Sequence, residues 1–280
     1  MCSPVIYRDA LNPKRHYTLE AVRTTAEAFG RGLISQWQWQ VGDVLTILAT
    51  NDVDFGPVTY GALYAGGTVS PANPAYTAKE LAHMLTDAES KLVVTQASLL
   101  PVVLEAASLA NLPKDRILLL GSEKNNDFAH FTSVCDSNGS TKSTRPRLDP
   151  DKNLAFLAYS SGTTGLPKGV MLSHTNIISD VLMISGSVGR YYNFKDDKLL
   201  GVLPFFHIYG TSSLSGYSLL SCHFLLTSRR SHWSRTSTFI PWNRSRCHAL
   251  FQAGRFLPHC PGSQNHFWLH STASTGTIVT

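Results

Sequence analysis

Charge is scarce in this chain: 15% of its 280 residues are Asp, Glu, Lys or Arg, against 43% hydrophobic and 10% aromatic. A chain so composed buries one large core or two ordinary ones, which excludes disorder as its global state. No apolar run comes near the roughly 18 residues that cross a bilayer. The start, Met1-Cys2-Ser3-Pro4, has neither the basic nor the apolar stretch of a secretion signal. A soluble, intracellular chain without a membrane span is expected. Cysteine is sparse and odd in number, and Cys2, Cys135, Cys222, Cys247 and Cys260 show no framework-like spacing. That excludes a disulfide scaffold, so the five read as reduced thiols.

Acidic residues are missing altogether after Asp197. Residues 221–280 hold six arginines and no lysine, so the formal net charge of +5 divides into −1 for residues 1–220 and +6 for the last 60. The same 60 residues carry six of the eleven histidines, three of the five tryptophans and three of the five cysteines. Two kinds of sequence are therefore expected: a partial α/β domain over 1–220, and an irregular, disordered basic tail over 221–280. The tail has the composition that an out-of-frame or intron-derived translation produces. Its pairs Cys222-His223, Cys247-His248 and His259-Cys260 are adjacent rather than separated, which does not match zinc-finger spacing, and no metal ligands are assigned. The alternative function class is a noncatalytic binding module whose interleaved Arg and Trp contact nucleic acid. Random codon usage accounts for the same text, so nucleic acid is not the expected partner.

Before the tail, apolar strands alternate with amphipathic helices. Thr18 caps a helix with apolar positions Leu19, Val22, Ala26, Phe29 and Leu33 and an exit near Gly30 and Gly32. Val44 to Ala49 reads as a buried strand followed by the turn formers Asn51-Asp52. A helix over 55–64, a strand over 68–70, and a helix through Leu85 opened by the capping box Thr77-Ala78-Lys79-Glu80 follow. Strands at 91–95, 116–120, 154–159 and 199–203 and helices at 101–110 and 175–183 continue the pattern. Strands separated by helices imply parallel pairing, hence a parallel-rich α/β sheet layered by helices. Residues 121–151, rich in Ser, Asn, Asp, Thr and Pro, read as a polar surface excursion.

The chemical centre is Tyr159-Ser160-Ser161-Gly162-Thr163-Thr164-Gly165-Leu166-Pro167-Lys168-Gly169-Val170. An apolar strand feeds into hydroxyls, glycines and one lysine, and a helix-compatible segment follows. Glycines let backbone N–H groups turn toward one point, hydroxyls add donors, and lysine adds positive charge, which together make a concave anion site. The run is not a P-loop, because Leu166-Pro167 separate Gly165 from Lys168 and Gly169 follows the lysine; nor does it contain G-x-G-x-x-G.

Ser160 to Gly169 resembles the phosphate-binding signature of the AMP-forming acyl-CoA synthetases, the adenylate-forming superfamily. Tyr17-Thr18-Leu19-Glu20 with its helix, Leu63 to Pro74, and Leu203-Pro204-Phe205-Phe206-His207-Ile208-Tyr209-Gly210 resemble three further motifs of that family in the same order. The likeness covers about residues 5–215 and is greatest to 4-coumarate–CoA ligase-like enzymes. It implies an incomplete N-terminal adenylation domain that uses ATP, Mg²⁺ and coenzyme A to convert a carboxylic acid to an acyl-adenylate and then to a thioester. It also implies roles for single residues. Ser160, Ser161, Thr163 and Thr164 would donate to phosphate oxygens, Gly162 and Gly165 would permit close approach, and Lys168 would supply charge. His207, taken as the catalytic residue, and Tyr209 would line the acyl pocket, with Phe205 and Phe206 in the core. In the family, a Thr-Glu for adenine and metal, an Asp for ribose and a late Lys follow Gly210; no acidic residue is present there in this chain. A nonproductive fragment is the resulting expectation. The ending, Ile278-Val279-Thr280, is not Ser-Lys-Leu, so the cytoplasm is the expected location.

Overall fold

The computed structural model describes residues 5–136, 145–160, 167–188, 198–212, 223–226 and 241–242. A six-stranded sheet is built from β3 (Val44–Leu48), β4 (Thr68–Ala72), β5 (Ser90–Thr95), β6 (Ile117–Leu119), β7 (Leu154–Ser160) and β8 (Lys168–Ser173), in the order β6-β5-β3-β4-β7-β8. The first five strands in that order pair parallel; β8 is antiparallel to β7. Helices α1 (Leu19–Trp37) and α2 (Phe55–Tyr64) pack on one face, and α3 (Ala78–Asp87) and α4 (Leu100–Leu109) on the other. Alternation along the strands assigns the faces: Leu45, Ile47, Leu92, Val94 and Leu118 join Phe29 and Phe55, whereas Leu48, Val93, Ile117 and Leu119 join Leu81 and Val103. With both faces covered, the parallel strands are mostly apolar and their few polar members, such as Thr46 and Ser70, are buried as well, which is why they are legible as short hydrophobic runs.

Helix starts follow from local chemistry. Thr18 accepts from Ala21 N–H at the head of α1, and Thr77 and Glu80 form a reciprocal capping box at the head of α3. The end of α1 differs from expectation: the helix runs through Gly30 and Gly32 to Trp37 and is closed by Gln38 in the left-handed conformation. The two glycines serve contact instead. A Cβ on Gly30 would lie 2.7 Å from the Gly61 carbonyl oxygen of α2, and one on Gly32 would lie 1.7 Å from the Val134 carbonyl oxygen. The region expected as a polar excursion is likewise partly internal, since Phe131 and Val134 are buried and the Phe131 ring meets Phe29 edge-on at 5.5 Å.

A second sheet, absent from the sequence expectation, has the order β11-β9-β10-β1-β2, from β1 (Val5–Asp9), β2 (His16–Thr18), β9 (Lys198–Gly201), β10 (His223–Leu226) and β11 (Pro241–Trp242). Of the C-terminal 60 residues, expected to be irregular, those described are the strands β10 and β11. The segment after the glycine-rich loop also departs from expectation. Lys168–Ser173, read as part of a helix-compatible segment, is a strand, because Lys168 to Leu172 bond back onto β7, and α5 (His174–Val188) follows it where a helix is expected over 175–183. Among the described residues no helix is long and apolar enough to cross a membrane.

Candidate functional site

The carboxyl ends of β3, β4 and β7 point the same way, and this edge of the sheet carries the candidate site. In open α/β sheets ligands bind outside that edge. β7 ends at Ser160, which pairs in antiparallel register with Lys168. The glycine-rich loop is therefore the connection of a β-hairpin, its two feet fixed by the ladder, with Ser160 and Lys168 both exposed at the rim. Ser161, Gly162, Thr163, Thr164 and Gly165 lie outside the described residues. The hairpin base is anchored by Tyr159, whose hydroxyl donates to Asp87 Oδ2 at 2.5 Å and whose ring lies against Gly169. Burial, and then the Asp87 carboxylate, push the Tyr159 phenol above its ordinary value. On the inner side, Ser70 Oγ donates to the Leu157 carbonyl at 3.3 Å.

Two strand spacings away, about 10 Å, the loop after β3 holds the segment that leads to His207. Asn51 is buried, and its Nδ2 donates to the carbonyls of Gly201 at 2.9 Å and Leu203 at 2.7 Å, while Phe205 N–H donates to its Oδ1 at 2.7 Å. Phe205 is fully buried, edge-on to Phe55 at 5.7 Å; Phe206 is half-buried. The chain then turns: His207 N–H donates to the Pro204 carbonyl, and Thr211 N–H to the His207 carbonyl. Gly210 sits where a Cβ would come within 2.0 Å of the Pro204 carbonyl oxygen. His207 itself is exposed, and its Nδ1 accepts from Tyr209 N–H at 3.3 Å. An accepting Nδ1 leaves the ring proton on Nε2 in the neutral form. Tyr209 is 44% exposed. The structure thus brings Ser160, Lys168, His207 and Tyr209 to one edge of the sheet.

Beside Asn51 lies a charged cluster that the sequence does not announce. Arg15 donates from Nη1 to Asp52 Oδ2 at 2.7 Å, from Nη2 to Asp52 Oδ1, and from Nη2 to Asp54 Oδ2 at 2.7 Å. Asp54 also accepts from the Tyr17 hydroxyl at 2.9 Å and from Gly121 N–H at 2.8 Å, and His130 Nε2 stands 3.6 Å from it. Burial opposes ionisation of Asp54, yet the His130 ring, Arg15, the Gly121 N–H and the Tyr17 hydroxyl hold its carboxyl down to about 2. Burial pushes the Tyr17 phenol well above its ordinary range, and Asp54 adds to the rise. The carboxylates of the cluster are held by internal partners, and the cluster ties the β1–β2 hairpin to the carboxyl edge, which is a structural duty. Asp52 reads in sequence only as a turn former because Arg15 lies 37 residues before it.

Residues 4–268 match the family described as AMP-binding enzyme, so the match runs past the boundary expected at residue 220. The chain is 31% identical over 206 residues to a long-chain-fatty-acid–CoA ligase of Bacillus subtilis, covering 64% of this chain and 36% of that protein. It is 33% identical over 202 residues to a 4-coumarate–CoA ligase of Pinus taeda, covering 71% and 36%. The structure of MatB from Rhodopseudomonas palustris, solved with ATP bound, superposes with a TM-score of 0.62 at 24% identity over 90% of this chain and 46% of that one. The chain spans little more than a third of the length of these curated relatives.

Proposed function

The chain belongs to the AMP-binding enzyme family, and on that premise we propose that it grips the triphosphate of ATP in the hairpin loop between β7 and β8 and presents a carboxylic acid to it beside His207. The observation that carries this is the Ser160–Lys168 register pair, which closes a hydroxyl- and glycine-rich loop with a cation at its foot on the carboxyl edge. In the proposed reaction a carboxylate oxygen attacks the α-phosphorus, the bond to the β-phosphate oxygen breaks, and pyrophosphate leaves with the electron pair. A coenzyme A thiol then attacks the acyl carbon, and AMP departs. Negative charge accumulates on the leaving pyrophosphate, so fixed donors aimed at it lower the barrier. Ser160, Ser161, Thr163 and Thr164 supply hydroxyl donors, Gly162 and Gly165 let backbone amides approach, and Lys168 places a full charge there. His207 Nε2–H and the Tyr209 hydroxyl orient the acyl group.

The ligase relatives support a carboxylic acid as the class of substrate. Mg²⁺ would shield the phosphates when bound. Among the described residues no three His, Cys, Asp or Glu side chains converge as metal ligands, so no step is routed through the ion. Nor do residues 198–280 contain a carboxylate for ribose or metal. The activity assigned to this chain by itself is accordingly nucleotide capture, with complete turnover resting on groups it does not contain. Equilibrium dialysis with labelled ATP tests this: the parent binds, and Lys168→Met weakens binding about tenfold or more, the loss of one charge-assisted phosphate contact. Equal retention of ATP by parent and Lys168→Met would overturn the assignment. Pyrophosphate exchange over a panel of carboxylic acids separates capture from activation.

A further inference from the structure

We propose that Asn51 is a positioning residue for His207, holding from the end of β3 the backbone that sets the imidazole at the acyl site. The role for His207 rests on the function proposed above; the contacts of Asn51 do not. One buried amide spends both of its N–H groups and its oxygen on three backbone groups of a single short segment, 150 to 154 residues away in sequence. Those partners fix the orientation of the amide, because a flipped Asn51 would set its oxygen against the Gly201 and Leu203 carbonyls. Between the end of β9 at Gly201 and the turn at 208–212 the segment has no ladder to hold it. The bonds that hold it include a local Val202 N–H to Leu200 carbonyl bond, the His207 N–H to Pro204 carbonyl bond, the Asn51 contacts, and the Thr211 hydroxyl donating to the Phe205 carbonyl at 2.7 Å. Phe205 is at once a partner of Asn51, a fully buried ring against Phe55, and only two residues before His207. The Tyr209 N–H that satisfies Nδ1 is presented by the same turn. Loss of the Asn51 contacts frees the segment, and with it the geometry that keeps the imidazole proton on Nε2.

The test is the imidazole ¹⁵N spectrum of the full chain, with the His207 signal identified by its disappearance in His207→Gln. In the parent, near pH 8, His207 shows the tautomer protonated at Nε2. Asn51→Ser removes both donors. Asn51→Asp keeps an acceptor for Phe205 N–H and turns the other oxygen toward two carbonyls, and it serves where the serine variant does not fold. In either folded variant the His207 pair of resonances moves toward the averaged values of an unrestrained ring. Thr95→Val is the matched control: it deletes a buried bond at the same edge, the Thr95 hydroxyl to the Leu48 carbonyl at 2.8 Å, without touching the segment. It is expected to lower stability and leave the His207 signal in place. ATP retention, which depends on the β7–β8 hairpin, should stay within about twofold of the parent in every Asn51 variant, so failure of nucleotide binding and failure of this inference are read separately. A His207 signal unchanged in a folded Asn51 variant, or displaced as much by Thr95→Val, would overturn the proposal.

Discussion

Replacing Arg15 with Met keeps an unbranched apolar stem and removes the guanidinium that Asp52 and Asp54 share. The two carboxylates are 5% and 6% exposed in their side chains, so water cannot take over the role of the missing cation. Breaking a buried pair from one side costs about 3–5 kcal/mol at neutral pH, because an uncompensated charge stays behind. At typical urea sensitivities of roughly 1–3 kcal/mol per molar, the unfolding midpoint should fall by about 1–5 M. The pH dependence identifies the cause. In the parent, Asp54 is held to about 2, below the ordinary carboxylate value of 3.8, so its contribution is present in full above about pH 4 and is lost as pH falls through 2. That contribution is about 2 kcal/mol for a displacement of this size. Without Arg15 both carboxyls move upward, the folded variant takes up protons earlier, and the gap between parent and variant narrows from pH 7 to pH 4. Urea titrations followed by tryptophan fluorescence at both pH values measure this gap. A gap under 1 kcal/mol at pH 7, or one that is the same at pH 4, would refute the reasoning.

Three further outcomes are expected. Gly32→Ala should cost about 3 kcal/mol or more, since the new Cβ would stand 1.7 Å from a backbone oxygen that cannot yield. Gly186→Ala on α5, where a Cβ meets open space, should raise the melting temperature by the worth of about 0.5–1 kcal/mol; a Gly32→Ala variant as stable as the parent, or a Gly186→Ala variant that melts lower than it, would contradict the packing described. Tyr159→Phe should leave unchanged the number of phenols that ionise in the native protein below about pH 11, yet lower by one the number that ionise in urea, because burial and Asp87 hold Tyr159 protonated. A drop in the native count would show that its hydroxyl is not so held.

What the sequence discloses is what is local. Thr18, Thr77 and Glu80 announce helix starts because a cap and its partner lie three residues apart, and β3 and β5 are legible because burial on both faces concentrates apolar residues in short runs. The anion loop is legible for the same reason: its hydroxyls, glycines and lysine are consecutive. Features closed by distant partners leave no such trace. Gly30 and Gly32 resemble a helix exit until α2 and Val134 are seen to need their space, and β8 resembles the opening of a helix until β7 is there to pair with it. β1 and β2 are short strands interrupted by charge, and their purpose appears only when Arg15 meets Asp52 and Asp54. Asn51, next to Asp52, has the chemistry of a turn former, and nothing within ten residues reveals that its amide is committed to 201–205.

The charged cluster also bears on how the chain is made. Synthesis proceeds from the amino end, so Arg15 leaves the ribosome before either acid it must neutralise, and no nascent intermediate has to carry Asp52 or Asp54 into a core without a counterion already present. Tyr17 likewise precedes Asp54, whereas the Gly121 N–H arrives later: Gly121 follows Asp54 by 67 residues, which at roughly 5–20 residues per second is about 3–13 s of elongation. Through that interval the amino-terminal hairpin can clasp the first strand of the central sheet by itself, and the arrival of Gly121 and His130 completes the lock once β6 has been added.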